Sequence, residues 1–290
     1  MGDIYAIITA VCWSSAVILF DVSTKKFEAI QLNALKNFIG VVGFIATIII
    51  FALPAPNFSR SELLTLFISG ILGILIADAL FLESLRRLGS GLSAVVSTIY
   101  SPAIFIIAFV LYNETISLES YFGGFLVVSG IAISVYKVPK NIKRENLFLG
   151  IVFGIFANIL TAYSVLIVKP VMVDNSIVYV ALYRFSVGLL TAVFICVIKN
   201  GFSSFIMKFK EGLSNKSVLL GSFLGTYLSV IFWLAGYKYT LAGKAAIYNQ
   251  LSTVFIILLA RYFLNEAMTM RKTVGVSLAI VGAILVGLST

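Results

Sequence analysis

Residues 91–114 read GLSAVVSTIYSPAIFIIAFVLYNE, and residues 243–266 read GKAAIYNQLSTVFIILLARYFLNE. The second stretch follows the first at an offset of 152 and aligns with it without a gap. Each is an apolar run that ends in Asn-Glu, and a Ser or Thr (Ser117, Thr269) opens the next apolar run. A strongly apolar pattern that recurs at a fixed offset indicates an internal repeat of a whole structural unit.

The composition assigns this unit to a membrane. The chain has 290 residues, of which 60% are hydrophobic and 11% charged, and its mean hydropathy is +1.08. Runs of about 20 apolar residues span a bilayer as helices, whereas a β-barrel would need short alternating strands. We therefore predict an all-α membrane protein with ten transmembrane helices, at about 4–20, 33–52, 62–82, 92–112, 118–136, 147–168, 178–198, 216–237, 244–264 and 271–288.

The ten helices divide into two repeats, residues 1–140 and 145–290, with five spans each. Two copies of a bundle with an odd number of spans must lie upside down relative to each other. Inverted repeats place a binding site near the middle of the membrane, between the halves, which is typical of transporters.

The charge pattern agrees with an inversion and predicts an orientation. The net charge is +9, and sixteen of the 21 basic residues lie on the loops that follow the odd-numbered spans. The positive-inside rule makes that side cytoplasmic and places both termini outside. Basic loops of this kind contact anionic lipid, so the net charge does not indicate a nucleic-acid partner.

Composition also restricts the chemistry. The chain has no histidine, which is the commonest general base and metal ligand, so we expect no metal site and no cofactor. Its two cysteines, Cys12 and Cys196, both lie in apolar runs and are expected to pack rather than form a disulfide.

Both halves resemble the EamA family of the drug/metabolite transporter superfamily. The resemblance rests on a small-residue turn, LGSGLSA at 88–94 and AGKAA at 242–246, which is followed in each copy by Asn-Glu and a Gly-rich helix. In the first copy these later residues are Pro102, Asn113, Glu114, Gly123 and Gly130. In the second copy they are Asn265, Glu266, Gly275 and Gly282. The second copy departs from this pattern with Val254 in place of the proline.

The resemblance implies a secondary transporter in the plasma membrane, most simply an exporter of small organic metabolites such as amino acids or related compounds. A sugar-phosphate or other metabolite exchanger is the alternative. The resemblance also implies cytoplasmic termini, opposite to the charge count. We expect the partners to be a small-molecule substrate and the lipid bilayer, and the protein to be a monomer, with a homodimer as the alternative.

Polar side chains at helical spacing within spans are candidates for substrate binding. Ser97, Tyr100 and Ser101 share one side of span four, and their equivalents in span nine are Asn249, Ser252 and Thr253. Interhelical hydrogen bonding is the alternative role for such groups. Spans one, six and nine add five further candidates: Trp13, Ser14, Asn158, Tyr163 and Tyr248.

Three charged residues within spans are candidates for a role in transport. Asp78 has no acidic equivalent, because Val230 occupies the matching position, and it could carry a coupled proton. Lys36 and Arg184 are equivalent cations, which could either contact a substrate anion or extend to the lipid headgroups.

Other residues are assigned to architecture. We expect Glu114 and Glu266 to accept hydrogen bonds from the amides that open the following helix, with Ser117 and Thr269 as N-caps. Glycines at seven-residue spacing in spans five and ten give each helix a smooth packing face.

Two other classes of function compete with transport. An intramembrane enzyme would need a nucleophile with a base, or a metal cluster, and the scattered acids provide neither. A channel or lipid scramblase is the other alternative. The chain contains no Gly-x-x-x-x-Gly-Lys-[Ser/Thr] loop for ATP, so transport would depend on a gradient or on exchange.

Overall fold

A computed structural model describes residues 1–135, 143–263 and 270–288. Over these residues the chain is helical and contains no strand. The helices are α1 (Gly2–Thr24), α2 (Ala29–Ile50), α3 (Arg60–Ser69), α4 (Asp78–Val96), α5 (Tyr100–Tyr112), α6 (Leu118–Val135), α7 (Arg144–Ile167), α8 (Val171–Asp174), α9 (Ile177–Asn200), α10 (Phe202–Leu213), α11 (Lys216–Ser222), α12 (Ser229–Tyr239), α13 (Ala242–Asn249), α14 (Leu251–Phe263) and α15 (Met270–Leu288).

Two π-helical segments, Gly70–Ala77 and Phe223–Leu228, join α3 to α4 and α11 to α12, and a 3₁₀ turn, Ser97–Ile99, precedes α5. The π segments occupy equivalent positions of the two repeats at the offset of 152.

Six of the described helical stretches are long and apolar enough to cross a membrane. They are Gly2–Thr24, Ala29–Ile50, Arg60–Ala94, Arg144–Ile167, Ile177–Asn200 and Lys216–Tyr239, and two shorter apolar helices are Ser97–Tyr112 and Thr273–Val286. The all-helical membrane class is therefore confirmed for the described residues. The ten predicted spans fall largely on helix, but their number stays a prediction.

One segment expected to be a loop is helical. The sequence between 199 and 215 reads as one of the longest loops, yet α10 occupies Phe202–Leu213. One side of α10 packs Phe205 and Phe209 against the bundle, whereas Phe202 and Met207 are exposed. A short amphipathic helix of this kind fits the membrane surface rather than the interior.

Two backbone positions with positive φ define the boundaries of span four. Gly89 has φ of 73° and interrupts α4, so the helix that begins at Arg60 ends there. Asn113 ends α5 in the left-handed conformation, which asparagine tolerates better than most residues. In the Asn-Glu pair, Asn113 therefore ends α5 and places the Glu114 carboxylate directly after the helix end.

The Glu114 carboxylate accepts from amides that open a helix, as predicted, but that helix is α13 and not the one that follows α5. The carboxylate accepts hydrogen bonds from the backbone amides of Ala242 and Gly243, which open α13 in the other repeat, and pairs with Lys169 at 2.6 Å. Ser117 acts as predicted, since its hydroxyl accepts from the amide of Ser120 at 3.2 Å. Asn265, Glu266 and Thr269 lie outside the described residues.

Helices α6 and α15 pack against each other through their glycines. A Cβ on Gly123 would lie 2.6 Å from the carbonyl oxygen of Gly282, and one on Gly130 would meet the carbonyl oxygen of Gly275. Because the higher number on one helix meets the lower number on the other, the helices run antiparallel. The two contacts are equivalent in the repeat, because at the offset of 152 Gly123 corresponds to Gly275 and Gly130 corresponds to Gly282.

The two repeats also interlock at their π segments. A Cβ on Gly40 of α2 would lie 2.8 Å from Cγ2 of Thr226, and a Cβ on Gly188 of α9 would overlap the side chain of Ile74. Each repeat therefore packs a helix against the π segment of the other. This exchange encloses the space between the halves.

Candidate functional site

A cavity of about 150 Å³ lies between the two halves. Its walls come from both repeats: α1, α2, the first π segment and α4 on one side, and α7, α9, the second π segment, α12 and α13 on the other. Such a volume has room for several water molecules or a small ligand.

An ion pair lies on one wall. Nζ of Lys36 is 2.5 Å from Oδ2 of Asp78, and the two side chains are 5% and 18% exposed. Lys36 also donates to Oδ1 of Asn37 at 3.1 Å. A pair buried this deeply is screened much less by water than a surface pair.

The first π segment holds this wall in place. Wider π-helical turns disturb the regular backbone hydrogen bonding of an α-helix. The amide of Asn33 uses this opening, because Nδ2 donates to the carbonyl oxygens of Ile74 and Leu75 at 2.9 and 3.1 Å. Helix α2, which carries Lys36, is thereby fixed against the segment that leads to Asp78.

Arg184 lies on the opposite wall and is 0% exposed. Its Nη2 donates to Oγ of Ser164 at 3.3 Å, and its guanidinium lies 5.7 Å from the centroid of the Trp233 ring. Nε and Nη1 have no hydrogen-bond partner among the residues that the structure describes.

Aromatic side chains form a connected group beside Arg184. The hydroxyl of Tyr100 lies 2.7 Å from the hydroxyl of Tyr237. Nε1 of Trp233 donates a hydrogen bond to the Tyr100 hydroxyl at 3.2 Å. These bonds join span four of the first repeat to α12 of the second. The aromatic wall is therefore shared between the halves and is held by its polar atoms.

Amide side chains also join the two repeats at the cavity. Nδ2 of Asn158 donates to Oγ of Ser97 at 3.4 Å, and Nε2 of Gln250 donates to the Ser97 carbonyl at 2.9 Å. The Asn249 amide lies near the Tyr237 hydroxyl, but neither its nitrogen nor its oxygen has a partner at hydrogen-bonding distance and angle in the described part of the chain.

The structure brings nine of the candidate residues to this cavity. They are Trp13, Lys36, Asp78, Ser97, Tyr100, Asn158, Arg184, Asn249 and Ser252. Lys36 and Arg184 do not extend to the headgroups, because both are buried. Whether these residues bind a substrate stays a prediction.

Five candidates lie elsewhere. Ser14 is buried and donates to the carbonyl of Val11, Ser101 donates to the carbonyl of Ala246 at 3.2 Å, and Tyr163 is 39% exposed. Tyr248 and Thr253 are buried and do not line the cavity. Ser97 and Tyr100 line the cavity, as do their equivalents Asn249 and Ser252. Ser101 and its equivalent Thr253 are buried against protein instead.

Several polar residues of the cavity gave no signal in the sequence. Thr226, Ser229 and Ser164 line the cavity. Their equivalents in the other repeat are the apolar residues Ile74, Ala77 and Ala16, so a comparison of the halves does not identify them as a shared polar face. The Lys36–Asp78 pair was also missed, because nothing in the chain links two residues 42 positions apart.

The described part of the chain holds no group of three or more His, Cys, Asp or Glu side chains that could bind a metal ion. Its two cysteines are free. The side chains that line the cavity can form hydrogen bonds, ion pairs and aromatic contacts.

Comparisons with known proteins give the family and the fold. The model of the EamA-like transporter family matches residues 1–136 and 148–288. One similar solved structure, described only as the crystal structure of a protein, has a TM-score of 0.75 and 15% identity, and the match covers 98% of this chain and 95% of that one. Comparison with curated protein sequences gave no match.

Proposed function

The chain belongs to the EamA-like transporter family, within the drug/metabolite transporter superfamily, and from this premise we propose that it is a secondary transporter that exports small organic metabolites. Amino acids and related compounds are the proposed substrates. The chain is a multi-pass membrane protein, and we propose the plasma membrane as its location.

One observation carries this proposal. The cavity between the halves is lined by polar and charged side chains of both repeats, and most of the surface that its lining residues expose is nevertheless apolar. Small-molecule sites combine apolar surface with placed polar groups in this way. A site shared between two halves can remain bound to a substrate while one half rocks against the other.

The packing supports alternating access between inverted repeats, residues 1–140 and 145–290. Gly123 on α6 contacts Gly282 on α15, and their equivalents at the repeat offset, Gly275 and Gly130, contact each other. A two-fold axis perpendicular to the helices would relate the two contacts in this way. The exchanged contacts at the two π segments have the same property. Glu114 links α5 to α13 and Lys169, and we propose that such contacts close one entrance.

Counterflow in proteoliposomes tests the proposal. Vesicles are loaded with an unlabelled amino-acid mixture, and the entry of each labelled amino acid is followed over time. We expect transient, saturable accumulation that stops when the cavity is filled by Ser252→Trp. The matched control is Ser203→Trp on α10, because Ser203 is exposed and remote from the cavity.

Each other result supports a different function. Counterflow of a sugar phosphate without counterflow of amino acids would indicate the alternative exchanger. Flux that never saturates, or movement of labelled lipid, would indicate a channel or scramblase. Chemical change of the label inside the vesicle would indicate an intramembrane enzyme.

A further inference from the structure

Buried polar atoms without partners are concentrated at the cavity. Seven such side-chain nitrogen and oxygen atoms occur in the described part of the chain. Five of them belong to cavity residues: Nε and Nη1 of Arg184, Oγ1 of Thr226, and Nδ2 and Oδ1 of Asn249. Buried polar groups in proteins are nearly always hydrogen-bonded, so this cluster points to a polar partner from outside the chain.

The charges of the cavity do not balance. Its charged lining residues, among those the structure describes, are Lys36, Asp78 and Arg184. Asp78 is bound to Lys36 at 2.5 Å, and no carboxylate of the described chain lies within 4.0 Å of the Arg184 guanidinium. The ion pair is neutral as a unit, which leaves the cavity with one net positive charge.

We propose that the transported substrate is an organic carboxylate with one net negative charge, and that Arg184 is its binding partner. The inference rests on the proposed export of small organic metabolites, and among amino acids and related compounds it selects the related carboxylates that carry no ammonium group. A carboxylate would satisfy the open N–H groups of a guanidinium through charge-assisted hydrogen bonds, for which the planar geometry of arginine is suited. It would also neutralise a charge that is costly to bury alone.

A zwitterion fits the same cavity less well. Its ammonium group would need an acidic partner, and Asp78 is the one acid among the described lining residues. At Asp78 it would have to share the carboxylate with Lys36, which already binds Oδ2, so two cations would lie beside one anion. With Arg184 also present, an added ammonium group would increase the positive charge of the cavity instead of balancing it.

The walls predict an apolar body for the anion. Trp13, Phe81 and Trp233 line the cavity together with Phe185. Both open nitrogens of Arg184 are covered by protein atoms in this conformation, and the Trp233 ring lies over the guanidinium at 5.7 Å. The carboxylate would bind these N–H groups in the plane of the guanidinium, so the protein atoms that cover them have to move as the substrate enters.

A charge series on the unmodified protein tests the substrate class. Purified protein in detergent is titrated with phenylacetate, phenylacetamide and phenylalanine, and the melting temperature is recorded. The three compounds share a benzyl group, and phenylacetate alone among them carries a net negative charge. We expect phenylacetate to stabilise the protein, because a ligand that binds only the folded state raises its stability. Phenylacetamide and phenylalanine should bind at least 10-fold more weakly, since each lacks the unbalanced carboxylate.

Variants of Arg184 test the partner. Arg184→Gln should weaken phenylacetate binding roughly 10- to 100-fold, the value expected for loss of charge-assisted hydrogen bonds. Without ligand it should melt at or above the temperature of the original protein, because it removes a buried charge that has no ion-pair partner. Arg184→Lys should keep part of the affinity, and the exposed Arg86→Gln should change nothing.

Several results would overturn the inference. Equal binding of phenylacetate and phenylacetamide needs no variant and would exclude a charge-selective site. Undiminished phenylacetate binding by folded Arg184→Gln would exclude Arg184. Stabilisation by glucose 6-phosphate but not by phenylacetate would show that the site takes phosphate instead.

The inference and the proposed function can fail separately. Counterflow of neutral amino acids with no response to carboxylate monoanions would leave the transporter in place and end the inference. Arg184-dependent binding of phenylacetate without any flux would keep the anion site and end the proposal of transport.

Discussion

Lys36 and Asp78 lie 42 residues apart and form an ion pair inside a membrane helix bundle. Each residue alone suggested a separate role, one as an anion contact and the other as a proton carrier. Their contact of 2.5 Å joins these roles, because protonation of Asp78 would release Lys36. An intramembrane charge is tolerated where it faces a partner or an aqueous cavity, and these two residues do both.

Removing one partner of this pair should destabilise the protein. Lys36→Met leaves the Asp78 carboxylate without its cation, and losing one side of a buried pair costs about 3–5 kcal/mol. The double variant Lys36→Met/Asp78→Leu should recover most of that loss, since no charge remains unpaired. Thermal unfolding in detergent measures both.

The exposed pair Glu83–Arg86 provides the control, since the Arg86 side chain is 45% exposed. Arg86→Gln should change stability by at most about 1 kcal/mol. If the double variant is no more stable than Lys36→Met, the pair is not what holds these two helices together.

At the level of elements, glycines determine how closely helices approach. On α6 and α15 they face the backbone of the partner helix, where an added methyl group has no flexible neighbour to push aside. The same residue type at Gly91 faces open space, with no atom within 4 Å of an added Cβ. The effect of a glycine substitution should therefore depend on the neighbouring element.

Gly123→Ala should destabilise the protein by about 1–3 kcal/mol, as overpacking of a close contact does. The added Cβ would lie 2.6 Å from the Gly282 carbonyl oxygen, so α6 and α15 would have to separate. Gly91→Ala should be neutral or stabilising by up to about 1 kcal/mol, because alanine is the better helix former. Equal melting temperatures for the two variants would mean that this helix contact adds little stability.

For the whole molecule, the charge pattern and the family resemblance predict opposite orientations in the membrane. Sixteen of the 21 basic residues lie on one side, and the positive-inside rule, a statistical bias that acts during insertion, places that side in the cytoplasm.

Single cysteines can measure the orientation in a Cys12→Ser/Cys196→Ser background. Ser214→Cys lies between α10 and α11 on the basic side, and Asn57→Cys lies between α2 and α3 on the other; both positions are exposed. The charge count predicts that an impermeant maleimide added to intact cells labels Asn57→Cys and not Ser214→Cys. The reverse pattern would place both termini in the cytoplasm.

The sequence by itself determined the features that depend on neighbours in the chain. Long apolar runs specify helices, the Asn-Glu pair specifies where α5 stops, and the offset of 152 exposes the repeat. It also indicated the packing glycines, because their spacing depends only on helical geometry. Helix formation, helix termination and the spacing of the glycines depend on residues within one or two helical turns of each other.

Only the tertiary structure decided which polar groups meet. Ser97, Tyr100 and Ser101 share a helix face, yet Ser101 turns to the carbonyl of Ala246 while the other two line the cavity. Consecutive residues are about 100° apart around a helix, so a narrow cavity takes only part of a face. The Lys36–Asp78 contact and the open guanidinium of Arg184 depend on the rotation and depth of helices far apart in the chain, and packing between the halves sets both.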